Sequence, residues 1–152
     1  MNSHVFPSLI RRFVEAKENN YPSVTCWGSG KSLREFLHVN DLADACIFLL
    51  RNWDPGSINA PKNDLGDPLT LINIGTGKDI SIYELATKVA YLTGYKGEII
   101  WDKSKPDGTP KKQLDVSRIN QMGWKSKVSL TDGIKETILD FKKEIKSNVR
   151  EF

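Results

Sequence analysis

The sequence predicts a mixed α/β fold that has too few strands for a complete doubly wound sheet. Short β-prone runs alternate along the chain with segments whose apolar residues recur at helical spacing. Hydrophobic residues make up 39% and charged residues 27% of the 152 residues, which is ordinary for a folded domain and argues against intrinsic disorder. The predicted strands are few and short, whereas a doubly wound sheet has about six.

The first predicted elements are a helix and a strand. Leu9 and Phe13 recur at helical spacing in a helix from Val5 to about Lys17, and Pro7 lies in its first turn, where a missing N–H costs little. Residues 23–27 are β-prone and are closed by a Gly-Ser-Gly turn.

A second strand and a second helix follow. Residues 34–39 alternate in part and predict a strand, and a helix starts at Asn40. Cys46 falls among Leu42 and Ala45 on this helix, so the pattern predicts that its thiol is buried in packing and holds no metal.

The middle of the chain predicts a loop, a strand and a capped helix. Residues 54–68 are rich in Pro and Gly and indicate a long surface loop, and residues 69–74 form a largely apolar run that predicts a strand. Ser81 and Glu84 have the spacing of a capping box, and Gly94 ends the helix that they begin.

The last third predicts one strand, one loop and two helices. Residues 98–102 are β-prone, and the loop 103–112 is rich in lysine. Residues 115–122 predict a short helix, and Ser129 with Asp132 caps a final one.

Composition excludes several classes of protein. The formal net charge is +3, which is too small to indicate a nucleic-acid partner by itself. No apolar run approaches the roughly 20 residues of a membrane span, and the start of the sequence does not resemble a secretory signal. Two lone cysteines without a Cys-x-x-Cys pair indicate neither a disulfide framework nor a metal site. We therefore expect a cytoplasmic protein without a membrane partner.

Two glycine-rich motifs suggest phosphate binding but are incomplete. The run Gly28-Ser-Gly-Lys-Ser ends like a P-loop, yet Thr25 stands where its first glycine belongs. As dinucleotide fingerprints, this run and Gly75-Thr-Gly have Leu33 and Ile80 at the third glycine position. Both motifs are therefore expected to be tight turns that hold no cofactor.

Four sequence blocks together carry a family resemblance. They are residues 2–13, 27–43, 72–77 and 104–112, and the most distinctive parts are Trp-Gly-Ser-Gly and Lys-Pro-Asp-Gly-Thr-Pro. In order and approximate spacing, over nearly the whole chain, these blocks resemble the GDP-L-fucose synthases of the extended short-chain dehydrogenase/reductase group.

The resemblance implies an NADP-dependent epimerase and reductase. Such enzymes epimerise C3 and C5 of GDP-4-keto-6-deoxy-D-mannose and then reduce C4 with NADPH to give GDP-L-fucose. The sequence starts where the second half of this family starts, and the Gly-rich cofactor loop and the Tyr-x-x-x-Lys pair of the first half are absent from it. The expectation is that residues 1–152 are the C-terminal sugar-nucleotide-binding domain of a homodimeric enzyme, without the N-terminal dinucleotide-binding half. This domain alone would be inactive and would bind no NADP(H).

Family matching implies a catalytic role for one histidine. His4 matches the family's catalytic histidine, the proposed acid in epimerisation, and imidazole is suited to this role because it titrates near neutrality. His38, Asn40 and Asp41 belong to a block shared more widely, and we expect them to be structural, as a turn and a helix cap.

The same matching implies five substrate-binding residues. Arg12 and Arg34 match substrate-contacting arginines, whose guanidinium groups suit a diphosphate. Trp27 matches a residue that lines the nucleotide site. Asp107 and Lys105 match the substrate-binding loop, where a carboxylate can accept from sugar hydroxyls or a guanine N–H and an ammonium adds positive charge near phosphate.

Two other functions stay open at this stage. The chain could belong to another nucleotide-sugar epimerase or dehydratase, and preference for a UDP-sugar over a GDP-sugar would indicate this. It could also be a small nucleotide- or nucleic-acid-binding module that uses the lysine-rich loop and Trp27, in which case binding would weaken steeply with salt.

Overall fold

The structure, a computed structural model, describes residues 4–146, and the chain divides into two compact units. The first unit combines the chain up to Arg34 with Ile80–Lys111 and the part from Ser129 onward. The second combines Glu35–Asp79 with Lys112–Val128. Each unit is thus built from separate stretches of the chain.

Five helices and five strands occur in the described part. The helices are α1 (Val5–Glu18), α2 (Val39–Asn52), α3 (Ile82–Thr93), α4 (Ser117–Gln121) and α5 (Leu130–Lys146). The strands are β1 (Ser23–Trp27), β2 (Leu33–Glu35), β3 (Asp79–Ser81), β4 (Glu98–Asp102) and β5 (Lys111–Lys112). Within residues 4–146, no helix is both long and apolar enough to cross a bilayer.

The strands form two small sheets. β1 and β4 pair in parallel, with Ser23 opposite Glu98 and Trp27 opposite Asp102, so both strands end at the same edge. The short strands form the other sheet in the order β3-β2-β5. The parallel pair matters most for function, because loops that leave the carboxyl ends of parallel strands commonly build binding sites.

The core of the first unit lies where α1 packs against α3, α5 and β1. The rings of Phe13 and Tyr95 pack at 5.5 Å with a tilt of 54°. Burying each large apolar side chain stabilises the unit by about 1.5–3 kcal/mol. The largest fully buried side chains of this core are Ile10, Phe13, Val14, Leu85, Val89 and Ile134, and Leu9 and Ile138 are also buried.

The core of the second unit is smaller. Ala45, Val116, Ile119 and Trp124 form a buried cluster from α2, α4 and the loops that flank α4. Asp41 is also buried, and its Oδ2 accepts hydrogen bonds from the N–H groups of Lys127 (3.0 Å) and Val128 (2.9 Å). The structural role predicted for Asp41 is therefore confirmed, although it ties a loop to α2 rather than capping the helix.

The capped helices agree with the sequence prediction. Ser81 and Glu84 form the predicted capping box at the start of α3, and Gly94 ends this helix at a φ of +75°. At the start of α5, the Ser129 Oγ accepts from the Asp132 N–H (3.1 Å). These signals were reliable because each one is completed within a few residues of chain.

The prediction of a strand over residues 34–39 is wrong in extent. Strand β2 covers only Leu33–Glu35, because α2 begins at Val39 with His38 as its N-cap. The His38 Nδ1 accepts the hydrogen bond from the Asn40 N–H (3.3 Å), which gives this histidine the structural role that was predicted.

Two further predictions are wrong: one concerns a strand, and the other concerns the burial of a side chain. Residues 69–74 form no strand; Ile72 and Ile74 pack against the second core while Leu71 is 82% exposed, so the run alternates without pairing to a strand within residues 4–146. Cys46 is exposed rather than buried, because α2 turns Ala45, Phe48 and Leu49 toward the core instead.

Candidate functional site

A cleft of about 190 Å³ opens in the first unit, and β1 delivers its last residue to it. Three separate stretches of chain line the cleft beside α1: the segment from the end of β1 to β2, the start of α3, and the loop after β4. Representative lining residues are Val5, Trp27, Arg34, Ile82, Asp107 and Gly108. A concave site at the carboxyl ends of parallel strands is a common position for a ligand.

Trp27 provides an aromatic face at the cleft. It is the last residue of β1 and its side chain is 69% exposed, whereas Val24 and Cys26 on the same strand are buried. The Lys105 Nζ lies 5.7 Å from the centroid of the Trp27 ring, within the range of a cation–π interaction. An exposed indole beside an ammonium can bind a flat ring and a negative charge together.

Asp107 fastens the loop after β4 to the turn after β1. Its Oδ1 accepts from the Ser29 N–H (2.7 Å), and its Oδ2 accepts from the Ser29 Oγ–H (2.6 Å). These two bonds, followed by the positive charge of Lys31, lower the pKa of Asp107 below the ordinary carboxyl value. The carboxylate is therefore ionised throughout the neutral range.

Arg34 holds the same loop from β2. Its Nη1 donates to the carbonyl oxygens of Leu33 (2.6 Å) and Thr109 (2.7 Å). A Cβ added to Gly108 would lie 3.0 Å from the Arg34 Nη2, so the guanidinium lies directly against this glycine. Arg34 thus brings a permanent positive charge to the wall of the cleft.

The Gly30 position requires a glycine for two reasons. Its φ is +74°, and an added Cβ would lie 2.8 Å from the ring of Trp101, which itself stacks on Tyr83 at 5.6 Å. The Gly30 carbonyl accepts from the Tyr83 N–H (2.9 Å), and the Ser32 carbonyl accepts from the Ile82 N–H (3.0 Å). These hydrogen bonds hold the turn against the start of α3, and Gly30, Ser32 and Ile82 all line the cleft.

The structure brings four of the six predicted site residues together. Trp27, Arg34 and Asp107 line the cleft, and Lys105 lies over Trp27. His4 is the exposed N-cap residue of α1, adjacent to the lining residue Val5.

Arg12 lies about two turns further along α1 than Val5, close enough for its positive charge to act on Cys26. Burial raises the pKa of the Cys26 thiol, and the positive charge of Arg12 partly offsets that rise. Within residues 4–146, the side chains that line the cleft include neither Arg12 nor His4.

Sequence reasoning missed Ser29, Gly108 and Glu35. Ser29 anchors Asp107, and Gly108 lies against Arg34. Glu35 accepts from the N–H groups of Thr76 and of its neighbour Gly77 (2.8 Å), and so holds the other glycine turn. No local signal could have identified them, because spacing along the chain does not show which distant carboxylate pairs with a Gly-x-Gly turn.

Neither glycine turn fits a dinucleotide phosphate. In the first turn the Ser29 N–H donates to Asp107 and the Gly28 N–H donates to the Asp102 carbonyl. In the second turn the N–H groups of Thr76 and Gly77 donate to Glu35. A phosphate would have to displace a carboxylate and approach its negative charge. The predicted interpretation of both motifs as structural turns agrees with these contacts. Among the described side chains, no group of three or more His, Cys, Asp or Glu residues is placed to hold a metal ion.

The chain is similar to curated GDP-L-fucose synthases. It is 49% identical over 136 residues to a probable GDP-L-fucose synthase 1 from Oryza sativa subsp. japonica, covering 90% of this chain and 38% of that protein. It is 46% identical over 144 residues to the GDP-L-fucose synthase of Escherichia coli K12, covering 90% and 41%. The resemblance to GDP-L-fucose synthases is confirmed. The chain spans about two fifths of the length of these relatives.

Family and structure comparisons agree on the fold. Residues 1–61 match the NAD dependent epimerase/dehydratase family. A GDP-mannoheptose C4 reductase from Campylobacter jejuni, solved with NADP bound, is 38% identical and matches with a TM-score of 0.74, covering 93% of this chain and 45% of its own. The predicted α/β fold, which resembles part of an extended short-chain dehydrogenase/reductase, is therefore confirmed.

Proposed function

We propose that this chain forms the GDP-sugar-binding part, the C-terminal domain, of an NADP-dependent GDP-L-fucose synthase. The observation that carries the proposal is the cleft in which Trp27, Arg34 and Asp107 meet, in a chain similar to GDP-L-fucose synthases over 90% of its length. The matched Campylobacter reductase is also named for a GDP-linked sugar. These relatives favour a guanosine diphosphate over a uridine diphosphate as the nucleotide.

Each lining group suits one part of such a ligand. The exposed Trp27 ring can stack on a base or pack against a sugar. Arg34 and Lys105 carry the positive charge that a diphosphate requires, and a guanidinium can make paired charge-assisted bonds to it. Asp107 holds the loop that carries Lys105 and Gly108 against the cleft.

His4 is proposed to act as the acid in epimerisation, with Arg12 as an additional substrate contact. The 4-keto group makes the protons at C3 and C5 removable: a base, supplied by the rest of the proposed enzyme, would take the proton from one face, and returning a proton to the opposite face inverts each centre. An imidazolium at the start of α1 can deliver that proton.

NADP(H) binding, dimerisation and the cytoplasmic location belong to the proposed whole enzyme. The glycine turns of the described residues provide no fitting dinucleotide cradle, so the residues that hold NADP(H) would belong to the rest of the proposed enzyme.

Calorimetry of the 152-residue chain with GDP and with UDP tests the proposal. We expect saturable binding of GDP and at least tenfold weaker binding of UDP. A preference for UDP would instead support a different nucleotide-sugar enzyme. Absence of binding to either nucleotide, alongside binding to a single-stranded oligonucleotide that weakens with salt, would support the nucleic-acid alternative.

Two variants locate the binding within the cleft. Trp27→Ala and Arg34→Ala each remove a lining group, and we expect each to raise the Kd for GDP about tenfold or more. Arg51→Ala is the matched control, because Arg51 is an exposed arginine of the second unit. Equal losses in all three variants would place binding elsewhere.

A chimera tests the catalytic assignment of His4. Residues 4–146 replace the matched segment of the Escherichia coli synthase, and the chimera is supplied with GDP-4-keto-6-deoxymannose in deuterated water. His4→Gln should slow the formation of product that is inverted and deuterated at C3 and C5 by about 10²–10⁴-fold while the Kd for GDP stays unchanged. Inversion at the unmodified rate would remove His4 from the mechanism.

A further inference from the structure

The carboxylate of Asp107 is already engaged by the protein. Oδ1 accepts from the Ser29 N–H and Oδ2 accepts from the Ser29 Oγ–H, at 2.7 and 2.6 Å. A single residue, 78 positions away in the sequence, therefore binds both oxygens. Ser29 thus takes one acceptor position on each oxygen of a carboxylate that also lines the cleft.

The Ser29 hydroxyl passes this restraint on to the backbone of the turn. The same Oγ that donates to Asp107 accepts from the Lys31 N–H at 3.2 Å. The turn also starts at Gly28, whose N–H donates to the Asp102 carbonyl at 2.9 Å. The chain on either side of Ser29 is thus fixed, and this includes the backbone that directs the Trp27 side chain.

Close packing shows that the carboxylate is built into the turn. A Cβ added to Gly28 would lie only 2.3 Å from the Asp107 Oδ1. The φ of Gly28 is +78°, so this position favours glycine on two counts. The carboxylate therefore fits against bare backbone, in a place that a side chain would fill.

Arg34 holds the loop 103–110 independently of Ser29. Arg34 donates to the Thr109 carbonyl at 2.7 Å, two residues beyond Asp107. The loop that supplies Pro106 and Gly108 to the cleft is thus held by Ser29 and by Arg34. The Ser32 Oγ–H also donates to the Gly108 carbonyl (3.4 Å), and the Leu33 N–H donates to the Pro110 carbonyl (2.8 Å).

We propose that Ser29 is a positioning residue of the nucleotide site, and that Asp107 influences ligand binding through Ser29 rather than by contacting the ligand. The pair fastens residues 103–110 to the end of β1, so that Trp27 and Arg34 line one preformed cleft. This inference rests on the proposed function, because it names how that site is kept in shape. Preorganisation raises affinity by lowering the ordering cost at binding.

A double-mutant cycle on GDP affinity tests the inference. Ser29→Ala and Asp107→Asn each loosen the pair, and we expect each to raise the Kd for GDP about tenfold. Since both act on one interaction, the double variant should also lose about tenfold. Ser29→Thr keeps the hydroxyl and should bind within about threefold of the parent chain. A loss of about a hundredfold in the double variant, or no effect of Ser29→Ala, would overturn the inference.

A second Ser–Asp pair in the same unit is a matched control. At the start of α5, the Ser129 Oγ donates to the Asp132 Oδ2 at 2.6 Å, the same distance as in the Ser29–Asp107 pair. Ser129→Ala and Asp132→Asn should lower the unfolding midpoint and leave the Kd for GDP within about twofold. If they weaken GDP binding as much as the Ser29 variants, the effect is one of general stability and the inference fails.

Amide hydrogen exchange without nucleotide separates this inference from the proposed function. Failure of the parent chain to bind GDP would refute the function alone. In either case, Ser29→Ala and Asp107→Asn should each speed exchange in residues 103–110 about tenfold, with no further gain in the double variant. Unchanged exchange in this loop would overturn the positioning role, whatever the nucleotide result.

Discussion

The two units each contain a Gly-x-Gly turn that grips a carboxylate from a distant segment. In the first unit, residues 28–30 hold Asp107, and in the second, residues 75–77 hold Glu35. The likeness extends to the first glycine of each turn, where an added Cβ would lie 2.3 Å from a carboxylate oxygen. In both turns the central residue donates through its N–H and its hydroxyl.

The surroundings of the two carboxylates differ. Glu35 accepts from the N–H groups of Thr76, Gly77 and Leu114, so donors from two separate segments surround it. Asp107 accepts from Ser29 alone among the bonds described, and it lines a cleft. The same kind of turn therefore has two roles. Around Glu35 it joins segments of the fold, and around Asp107 it shapes an open cleft. A motif of this kind does not reveal its function until its neighbours are known.

Removing Glu35 should have the largest effect on stability. Glu35→Ala leaves the N–H groups of Thr76, Gly77 and Leu114 without their acceptor, and each unsatisfied donor has a desolvation cost where water cannot replace it. We expect the free energy of unfolding to fall by about 3 kcal/mol, measured by urea denaturation.

Glu15→Ala is the control for this comparison. Glu15 is an exposed glutamate on α1, and its removal should change the free energy of unfolding by less than about 0.5 kcal/mol. Asp107→Ala should shift the urea midpoint less than Glu35→Ala does. The reverse order would contradict the distinction between a structural carboxylate and a site-shaping one.

Adding a methyl group at Gly108 should affect the cleft more than the fold. The new Cβ would lie 3.0 Å from the Arg34 Nη2 and would push the guanidinium away from the Thr109 carbonyl. We expect Gly108→Ala to raise the Kd for GDP about fivefold, measured by calorimetry, with the urea midpoint nearly unchanged. Gly56→Ala, in the second unit, is the control and should leave GDP affinity unchanged. Unaltered binding by Gly108→Ala would show that the position of Arg34 does not limit affinity.

Much of the fold could be predicted where the signal is local. The capping box of Ser81 and Glu84 and the left-handed Gly94 each depend on a few consecutive residues. The secondary structure of residues 69–74 could not be predicted in this way, because apolar residues indicate burial but do not show whether a partner strand exists. Cys46 was placed on the wrong face because the orientation of α2 depends on Trp124 and other distant residues.

The sequence could predict which residues belong to the site but not how they contact one another. Family blocks identified Trp27, Arg34 and Asp107, which meet in one cleft. They did not reveal that Asp107 is bound by Ser29, because this contact joins residues 78 positions apart. Long-range hydrogen bonds of this kind depend on how loops meet in three dimensions, which spacing along the chain does not record.

The smallest expected effect is a change in the pKa of Asp107 when the Ser29 hydroxyl is removed. The bonds from Ser29 lower its pKa, so its ionised form stabilises the fold above the ordinary carboxyl pKa of about 3.9 and this contribution is lost as the pH falls through the lowered value. Ser29→Ala removes the hydroxyl bond, and the Asp107 pKa should therefore rise toward the ordinary value. Carbon-13 NMR of the carboxyl groups measures this directly.

Asp132 provides the internal reference in the same spectra. Its pKa is also lowered, first by the hydroxyl of Ser129, so Ser129→Ala should raise it while Ser29→Ala leaves it in place. Because the pKa of Asp107 lies below the ordinary carboxyl value, GDP affinity should show no dependence on Asp107 between pH 5 and 8, and should weaken only as the pH falls through that lowered pKa. An Asp107 titration that is unmoved by Ser29→Ala would mean that the hydroxyl does not hold the carboxylate, and the two glycine turns would then differ in their anchoring as well as in their surroundings.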